Sequence, residues 1–119
     1  MNFADVVERV KKCCDDRDWD RFHDPKSLAC DIAIESAEVL EHFRFLSAEE
    51  SIELLQNPQK RAQVEAELAD IVFGLARFAQ LYKIDLGQAV LKKITEIESK
   101  YPVDKAKGSN KKYNELETQ

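Results

Sequence analysis

Glycine, proline and cysteine are scarce in this 119-residue chain, which contains only three of each. No segment alternates apolar and polar residues with the period of two that predicts a β-strand. The lack of any strand pattern, together with so few glycines, predicts an all-α fold. By its length the chain should form a single helical domain over residues 1–119. We expect a helical bundle of four to five helices.

The cysteines are Cys13, Cys14 and Cys30, and they are a poor disulfide framework because their number is odd and two are adjacent. No C-x-x-C pair is present, so structural zinc is not expected. The first five residues lack a basic region followed by an apolar run, and no apolar stretch reaches membrane-spanning length. We therefore expect a reduced, soluble, cytoplasmic protein without a membrane partner.

Basic residues are fewer than acidic ones, and the formal net charge is −5 at pH 7. No stripe of basic residues runs along any predicted helix. Nucleic acid is therefore not an expected partner. A phosphorylated small molecule remains compatible with this charge, because a bound metal ion reverses the local potential.

The common catalytic motifs are absent as well. A di-iron site needs Glu-x-x-His, but Val39 stands three residues before His42, and Asp20 three before His23. The pair His23–Asp24 has no earlier histidine to complete a phosphohydrolase site of the His-Asp class. No Walker A loop, EF-hand loop or H-E-x-x-H motif occurs, and no serine or cysteine nucleophile can be paired with a base. What remains is metal chemistry carried by carboxylates alone.

Capping residues and apolar periodicity divide the chain into a series of predicted helices. Five helices are predicted. The first begins after Asn2 and ends near Asp15 or Asp16, and the second runs from Pro25 to Phe45. The third begins at Ser47 and ends near Gln56, the fourth runs from Pro58 to Tyr82, and the fifth begins after Asp85 and ends before Pro102. Residues 103–119 show no sustained periodicity, and we expect them to form an extended, lysine-rich arm.

Two pairs of carboxylates lie among the apolar residues of the two long predicted helices. Glu35 and Glu38 form the first pair and Glu67 and Asp70 the second, each with the i, i+3 spacing that puts both side chains on one face. If the helices pack side by side, the four charges form a partly buried cluster, which is unfavourable unless a cation compensates. Mg²⁺ prefers such oxygen ligands. An ordinary solvated face explains either pair equally well, so the spacing leaves both interpretations open.

Two aromatic side chains, Trp19 and Phe22, stand in the polar stretch between the first two predicted helices. They either plug the core beneath a loop or form a wall on which a flat ring stacks. Composition does not separate these two interpretations.

Several motifs, taken in order, resemble those of the MazG-like all-α nucleoside triphosphate pyrophosphohydrolases, and in particular of their dCTP pyrophosphatase branch. The motifs are Arg17-Asp-Trp-Asp-Arg-Phe-His23, Glu35-x-x-Glu38 followed by Glu67-x-x-Asp70, Lys100-Tyr-Pro-Val103, and Lys107-Gly-Ser-Asn-Lys-Lys-Tyr-Asn-Glu-Leu116. The resemblance covers the chain from Arg17 to Leu116.

The resemblance implies hydrolysis of a nucleoside triphosphate to the monophosphate and pyrophosphate with Mg²⁺, for which Mn²⁺ can substitute. The substrate would be dCTP or a modified or non-canonical nucleotide, in a housecleaning role. It implies that Glu35, Glu38, Glu67 and Asp70 bind the metal, and we assign Glu38 as the acceptor of the attacking water's proton. The side chains expected near the nucleotide are Trp19, His23, Phe45 and Lys93, with Lys107 and Lys111 of the arm reaching over from a neighbouring subunit.

Two departures separate this chain from the dCTP-preferring members. Gly74 replaces a tyrosine, and on the last predicted helix Ile97 and Lys100 replace an asparagine and an arginine. The reaction class survives these changes, but the preferred nucleotide does not follow from the resemblance.

The resemblance further implies a homodimer or homotetramer, in which helices of two subunits complete a four-helix bundle. The size of the chain agrees, because the short predicted helices cannot cover the apolar stripes of the long ones. An alternative is a helical dimer that binds nucleotide or protein without turnover. A carboxylate is present at all four metal-ligand positions, which favours the enzyme. The departures at Gly74 and Ile97 keep the alternative open.

Overall fold

The computed structural model describes residues 2–116, and within this range the regular structure is entirely helical, without a strand. The predicted all-α class is therefore confirmed for the described residues. The chain divides into two compact units, residues 1–84 and 85–119. None of the helices within residues 2–116 combines the length and apolar composition needed to span a bilayer.

Six α-helices lie in the described range, one more than the upper limit predicted. They are α1 (Phe3–Asp15), α2 (Pro25–Phe43), α3 (Ala48–Leu54) and α4 (Pro58–Tyr82) in the first unit, and α5 (Leu86–Lys100) and α6 (Val103–Ala106) in the second. A single 3₁₀ turn follows α1 at Asp20–Phe22, and another follows α6 at Tyr113–Glu115.

The predicted caps determine where the longer helices begin. The side chains that accept a backbone N–H of the first turn are those of Asn2, Asp24, Ser47, Asn57 and Asp85. Each such bond satisfies a donor that the helix itself leaves unpaired, and its loss typically costs about 1 kcal/mol. The predicted starts of α1 to α5 are thus confirmed.

Two predicted boundaries need correction. α2 ends at Phe43 and not at Phe45, because Arg44 is its C-cap and the N–H of Leu46 closes a turn onto the Phe43 carbonyl. The arm expected over residues 103–119 is not extended throughout, since it contains α6 and the second 3₁₀ turn. The ring of Tyr113 in that turn packs edge-on against Tyr101, with centroids 6.3 Å apart. Residues 117–119 of the predicted arm lie outside the described range.

The core of the first unit lies along α2 and α4, which pack against each other, while α1 packs against α4. The buried side chains are Cys14, Leu28, Val64, Ala76 and the charged Arg77. Gly74 allows the two long helices to approach closely, because a Cβ at this position would lie 2.9 Å from Cγ1 of Ile32. This side-by-side packing brings the two carboxylate pairs to one place.

Candidate active site

The electrostatic effect of the four carboxylates of α2 and α4 on one another is seen in the pKa of Glu35. Burial raises the pKa of the Glu35 carboxyl, and the adjacent Glu38, which lies within hydrogen-bonding reach, together with the charges of Asp70 and Glu67, raises it further. Oε2 of Glu35 is buried, and no group among the described residues makes a hydrogen bond to it. An orphaned carboxylate oxygen among like charges is an arrangement that a cation would relieve.

His42 is a candidate functional residue that the sequence reasoning missed. Its Nε2 atom lies 2.7 Å from Oε2 of Glu67, and both side chains are largely buried. On α2 it stands four residues after Glu38, and therefore on the same helix face. A contact of this kind orients a carboxylate that faces a metal or substrate. The spacing Glu38-x-x-x-His42 is the available signal, which a search restricted to Glu-x-x-His overlooks.

The carboxylate cluster is not a finished metal site. Within residues 2–116, no three side chains of His, Cys, Asp or Glu are arranged so that they could hold one metal ion. Like charge keeps carboxylates apart, and Glu67 is engaged by His42. Rotamer changes are therefore needed for Glu35, Glu38, Glu67 and Asp70 to share an ion.

Trp19 and Phe22 lie at the 3₁₀ turn that follows α1, and both are exposed, Trp19 by 38% and Phe22 by 63%. The Trp19 ring meets the imidazole of His23 edge-on, with centroids 6.5 Å apart and an interplanar angle of 70°. The guanidinium of Arg17 lies 5.8 Å from the centroid of the Trp19 ring. Neither aromatic side chain plugs the core of the single chain.

His23 is held by two side chains of α4, and no local sequence pattern indicates these contacts. Nε of Arg77 donates a hydrogen bond to Nδ1 of His23 at 3.1 Å, and the hydroxyl of Tyr82 donates to the His23 carbonyl oxygen at 2.8 Å. Burial lowers the pKa of the His23 imidazole, and the Arg77 charge lowers it further. Arg77 is thus a second residue near the candidate site that the sequence reasoning missed.

The other predicted site residues are Phe45 in the first unit and Lys93, Lys107 and Lys111 in the second. Phe45 is 84% exposed beyond the end of α2, where the Arg44 guanidinium lies 4.7 Å from its ring centroid. Lys93, on α5 of the second unit, pairs with Glu96 at 2.9 Å. Lys107 and Lys111 are exposed in the second unit. Roles for these four side chains at a nucleotide stay predictions.

Comparison with known proteins gives consistent results. The profile of the MazG-like family matches residues 31–116. The dCTP pyrophosphatase 1 of Bos taurus is 37% identical over 101 residues, covering 85% of this chain and 60% of the bovine protein. The Homo sapiens protein of that name is 34% identical, with 85% of this chain and 59% of the human protein covered. The chain therefore spans about three fifths of the length of these curated relatives.

The fold is also similar to that of a solved structure. The crystal structure of a pyrophosphatase from Archaeoglobus fulgidus aligns with a TM-score of 0.78 and 33% identity, covering 86% of this chain and 94% of the archaeal one. The resemblance found in the sequence is confirmed by the family profile, the relatives and this structure. The chain belongs to the MazG-like family.

Proposed function

We propose that the chain is a nucleotide pyrophosphohydrolase, which converts a nucleoside triphosphate and water into the monophosphate and pyrophosphate. The observation that carries this proposal is the carboxylate cluster, in which burial and like charge raise the pKa of Glu35. Membership of the MazG-like family supports it, as do relatives named dCTP pyrophosphatase. Candidate substrates are dCTP and modified or non-canonical nucleotides, in a housecleaning role in the cytoplasm.

The chemistry of the cluster fits a hard divalent cation. Oε2 of Glu35 is buried without a partner, and carboxylate oxygens are the ligands that Mg²⁺ prefers and that Mn²⁺ also accepts. Glu35, Glu38, Glu67 and Asp70 would hold the ion. When bound, such an ion neutralises phosphate charge and lowers the pKa of a coordinated water.

The chain's own side chains have the remaining tasks. Glu38 accepts the proton of the attacking water, which requires that one of its oxygens stay free of the metal. Trp19 stacks on the nucleotide base, and Phe45 offers a second aromatic surface. The positive charges of Lys93, Lys107 and Lys111 offset the charge of the phosphates.

Exposed apolar side chains on both long helices support a homodimer or homotetramer. Ile34 and Leu40 on α2, and Leu68 and Leu75 on α4, are exposed in the single chain. Apolar faces of this kind usually mark interaction surfaces. Packing them against a second copy would complete a four-helix bundle through an obligate interface of about 2,000 Å² or more.

Pyrophosphate release from natural and modified nucleoside triphosphates, with and without Mg²⁺, tests the proposed reaction. Glu38→Gln should abolish turnover while the circular dichroism spectrum keeps its helical signal. The matched control is Glu41→Gln on the same helix, because Glu41 is exposed and pairs with Arg44; this variant should stay active.

Full activity of Glu38→Gln would contradict the assigned site. If the unaltered chain binds nucleotide but releases no pyrophosphate under any of these conditions, it is instead a non-catalytic helical dimer. Nucleotide binding followed by calorimetry separates this second outcome from a chain that does not recognise nucleotides.

A further inference from the structure

Arg77 is a buried cation in the first unit, with 1% of its surface exposed. Its guanidinium makes three directed contacts: Nε donates to Nδ1 of His23 at 3.1 Å, Nη1 donates to Oε1 of Gln80 at 2.9 Å, and Nη2 donates to Oδ1 of Asp20. Nε2 of Gln80 in turn donates to the carbonyl oxygen of Val7 at 2.7 Å. The arginine therefore joins α4 to α1 and to the first 3₁₀ turn.

The bond from Arg77 determines the tautomer of His23. A guanidinium has only donors and stays charged in proteins, so Nδ1 of the imidazole must act as the acceptor. An imidazole that accepts at Nδ1 is neutral and carries its proton on Nε2. A proton on Nδ1 would place two N–H groups against each other beside a buried cation.

The charged groups around His23 favour the same neutral form. Burial lowers the pKa of the imidazole, and the charge of Arg77 on α4 lowers it further. Asp31 on α2 and Asp20 in the 3₁₀ turn act in the opposite direction, but the pKa stays below its ordinary value. Tyr82 contacts only the backbone of His23, through its carbonyl oxygen.

The Nε2–H group of His23 is left free to meet a ligand. Within residues 2–116, the His23 ring makes its side-chain hydrogen bond to Arg77, through Nδ1. The His23 residue is only partly buried. The imidazole stands edge-on to Trp19, with centroids 6.5 Å apart. A flat ring stacked on Trp19 would therefore have a fixed, neutral donor beside it.

From this geometry we propose that Arg77 is a positioning residue, which fixes His23 as a neutral Nε2–H donor for an acceptor atom of the nucleotide base. The acceptor is a ring nitrogen or a carbonyl oxygen of the base, because the imidazole stands edge-on to the Trp19 ring on which the base is proposed to stack. The identity of the ligand rests on the proposed function, whereas the state of His23 does not.

Long-range ¹H–¹⁵N correlation spectra of the unaltered chain, without nucleotide, test the state of His23. At pH 7 we expect a protonated Nε2 and an unprotonated Nδ1. The chain has two histidines, so His42 is an internal control. Arg77→Met should raise the pKa of His23 and mix its two tautomers, while the His42 signals stay in place. Arg77→Lys keeps the charge without the planar donor, so it should mix the tautomers with a smaller rise in pKa.

A protonated Nδ1 in the unaltered protein would overturn the proposal, and so would a His23 that responds to neither Arg77 variant. Because the first of these measurements needs no substitution, a variant that fails to fold does not prevent the test. The Arg77→Lys variant also retains the buried charge if Arg77→Met proves unstable.

Nucleotide affinity, measured with Ca²⁺ in place of Mg²⁺, tests the donor role. The probes are dCTP and the triphosphate that turns over fastest in the pyrophosphate-release screen. His23→Gln places an amide N–H near the former Nε2, whereas the shorter His23→Asn places it near Nδ1. Loss of one neutral hydrogen bond weakens binding by about 2- to 12-fold. We expect this loss in His23→Asn and Arg77→Met, but not in His23→Gln.

Equal affinity in these three variants and the unaltered chain would overturn the donor role. Failure of the unaltered chain to bind any nucleotide would overturn the proposed function and, with it, the proposed ligand of His23. The spectra of the nucleotide-free protein then show whether the bond between Arg77 and His23 exists independently, so the two failures are distinguishable.

Discussion

The charged Glu35 carboxylate is expected to destabilise the folded chain when no cation is bound. Burial and the neighbouring carboxylates raise its pKa above the ordinary 4.5, so the folded chain holds this proton more tightly than the unfolded chain. Stability from such a group is fully present below the unfolded pKa and is lost as the pH rises through the folded pKa. With a chelator present, the contribution of Glu35 to the urea midpoint should therefore fall as the pH rises above 4.5.

Glu35→Gln removes the charge and should raise the urea midpoint of the chelated protein at pH 7.5. The matched control is Glu53→Gln on α3, where the glutamate is exposed and the midpoint should not change. Mg²⁺ should raise the melting temperature of the unaltered chain by mass action, but not that of Glu35→Gln. A midpoint lower than that of the unaltered chain would show that the Glu35 charge is already compensated.

Trp19 gives a second prediction at the residue scale, because 38% of its surface is exposed and it is not among the buried core side chains. Base–aromatic stacking is worth about 1–3 kcal/mol, so Trp19→Ala should weaken nucleotide affinity by about 5- to 150-fold with only a small change in melting temperature. Trp19→Phe keeps a stacking surface and should recover most of this loss. A large loss of stability with unchanged affinity would make Trp19 a structural residue.

Fluorescence offers an independent reading of the same contact. Trp19 is the only tryptophan in the chain, so its emission reports on this position alone. Adding nucleotide with Ca²⁺ in place of Mg²⁺ should change that emission. An unaltered spectrum at saturating nucleotide would place the base elsewhere.

The sequence identified the residue types of the candidate site better than their partners. The i, i+3 pairs share a face because the helix period is local, so Glu35 and Glu38 could be grouped without a structure. The contact of His42 with Glu67 spans 25 positions, and that of Arg77 with His23 spans 54. Such contacts depend on how α4 is rotated against its neighbours, which local periodicity does not encode.

At the element scale, helix starts were predictable and helix ends less so. A start is marked by one side chain that satisfies a nearby N–H, as Asp24 does for Ser27, and this chemistry lies within four residues. The end of α2 lies at Phe43, two residues before the prediction, where the Leu46 N–H closes a turn onto the Phe43 carbonyl. The Tyr113 ring, in the tail, contacts the Tyr101 ring and the Lys100 ammonium group. No periodic pattern in the sequence predicts this contact.

Gly74 has a role in helix packing, although in the sequence it is interpreted as a change in the nucleotide pocket. In the sequence it is a departure from the tyrosine of the dCTP-preferring members, whereas in the structure it lets α4 approach Ile32 on α2. A Cβ would lie 2.9 Å from Cγ1 of Ile32, which is closer than side chains tolerate. Overpacking typically costs about 1–3 kcal/mol, against a gain in helix propensity of about 1 kcal/mol.

Gly74→Ala should therefore lower the free energy of unfolding, by up to about 2 kcal/mol, in urea titrations. Gly87→Ala on α5 is the matched control, because its Cβ would meet Oδ1 of Asp85 at an ordinary 3.5 Å, and it should stabilise. In the double variant with Ile32→Ala the clash disappears, so the two losses should be less than additive. Simple additivity would mean that the close approach of α2 and α4 does not limit this position.

At the scale of the whole molecule, a single chain leaves much apolar surface uncovered. On α2 and α4 alone, Ile34, Leu40 and Leu68 are each about half exposed. Surface of this extent on two long helices of one unit is what an obligate partner would bury. Light scattering at micromolar concentration should therefore give the mass of a dimer or tetramer. Leu40→Lys combined with Leu68→Lys should shift that mass towards the monomer.

The proposed assembly would also give the lysine-rich tail a function, because a neighbouring subunit would supply its charges to a site that is itself acidic. Deleting the residues after Pro102 removes Lys107 and Lys111 and should reduce turnover while the carboxylate cluster stays intact. Replacing only these two lysines by alanine should reproduce most of the loss, whereas Lys92→Ala on α5 is the matched control. A fully active monomer would contradict the assembly. A fully active truncation would contradict the role of the tail, since the phosphates would then be neutralised without it.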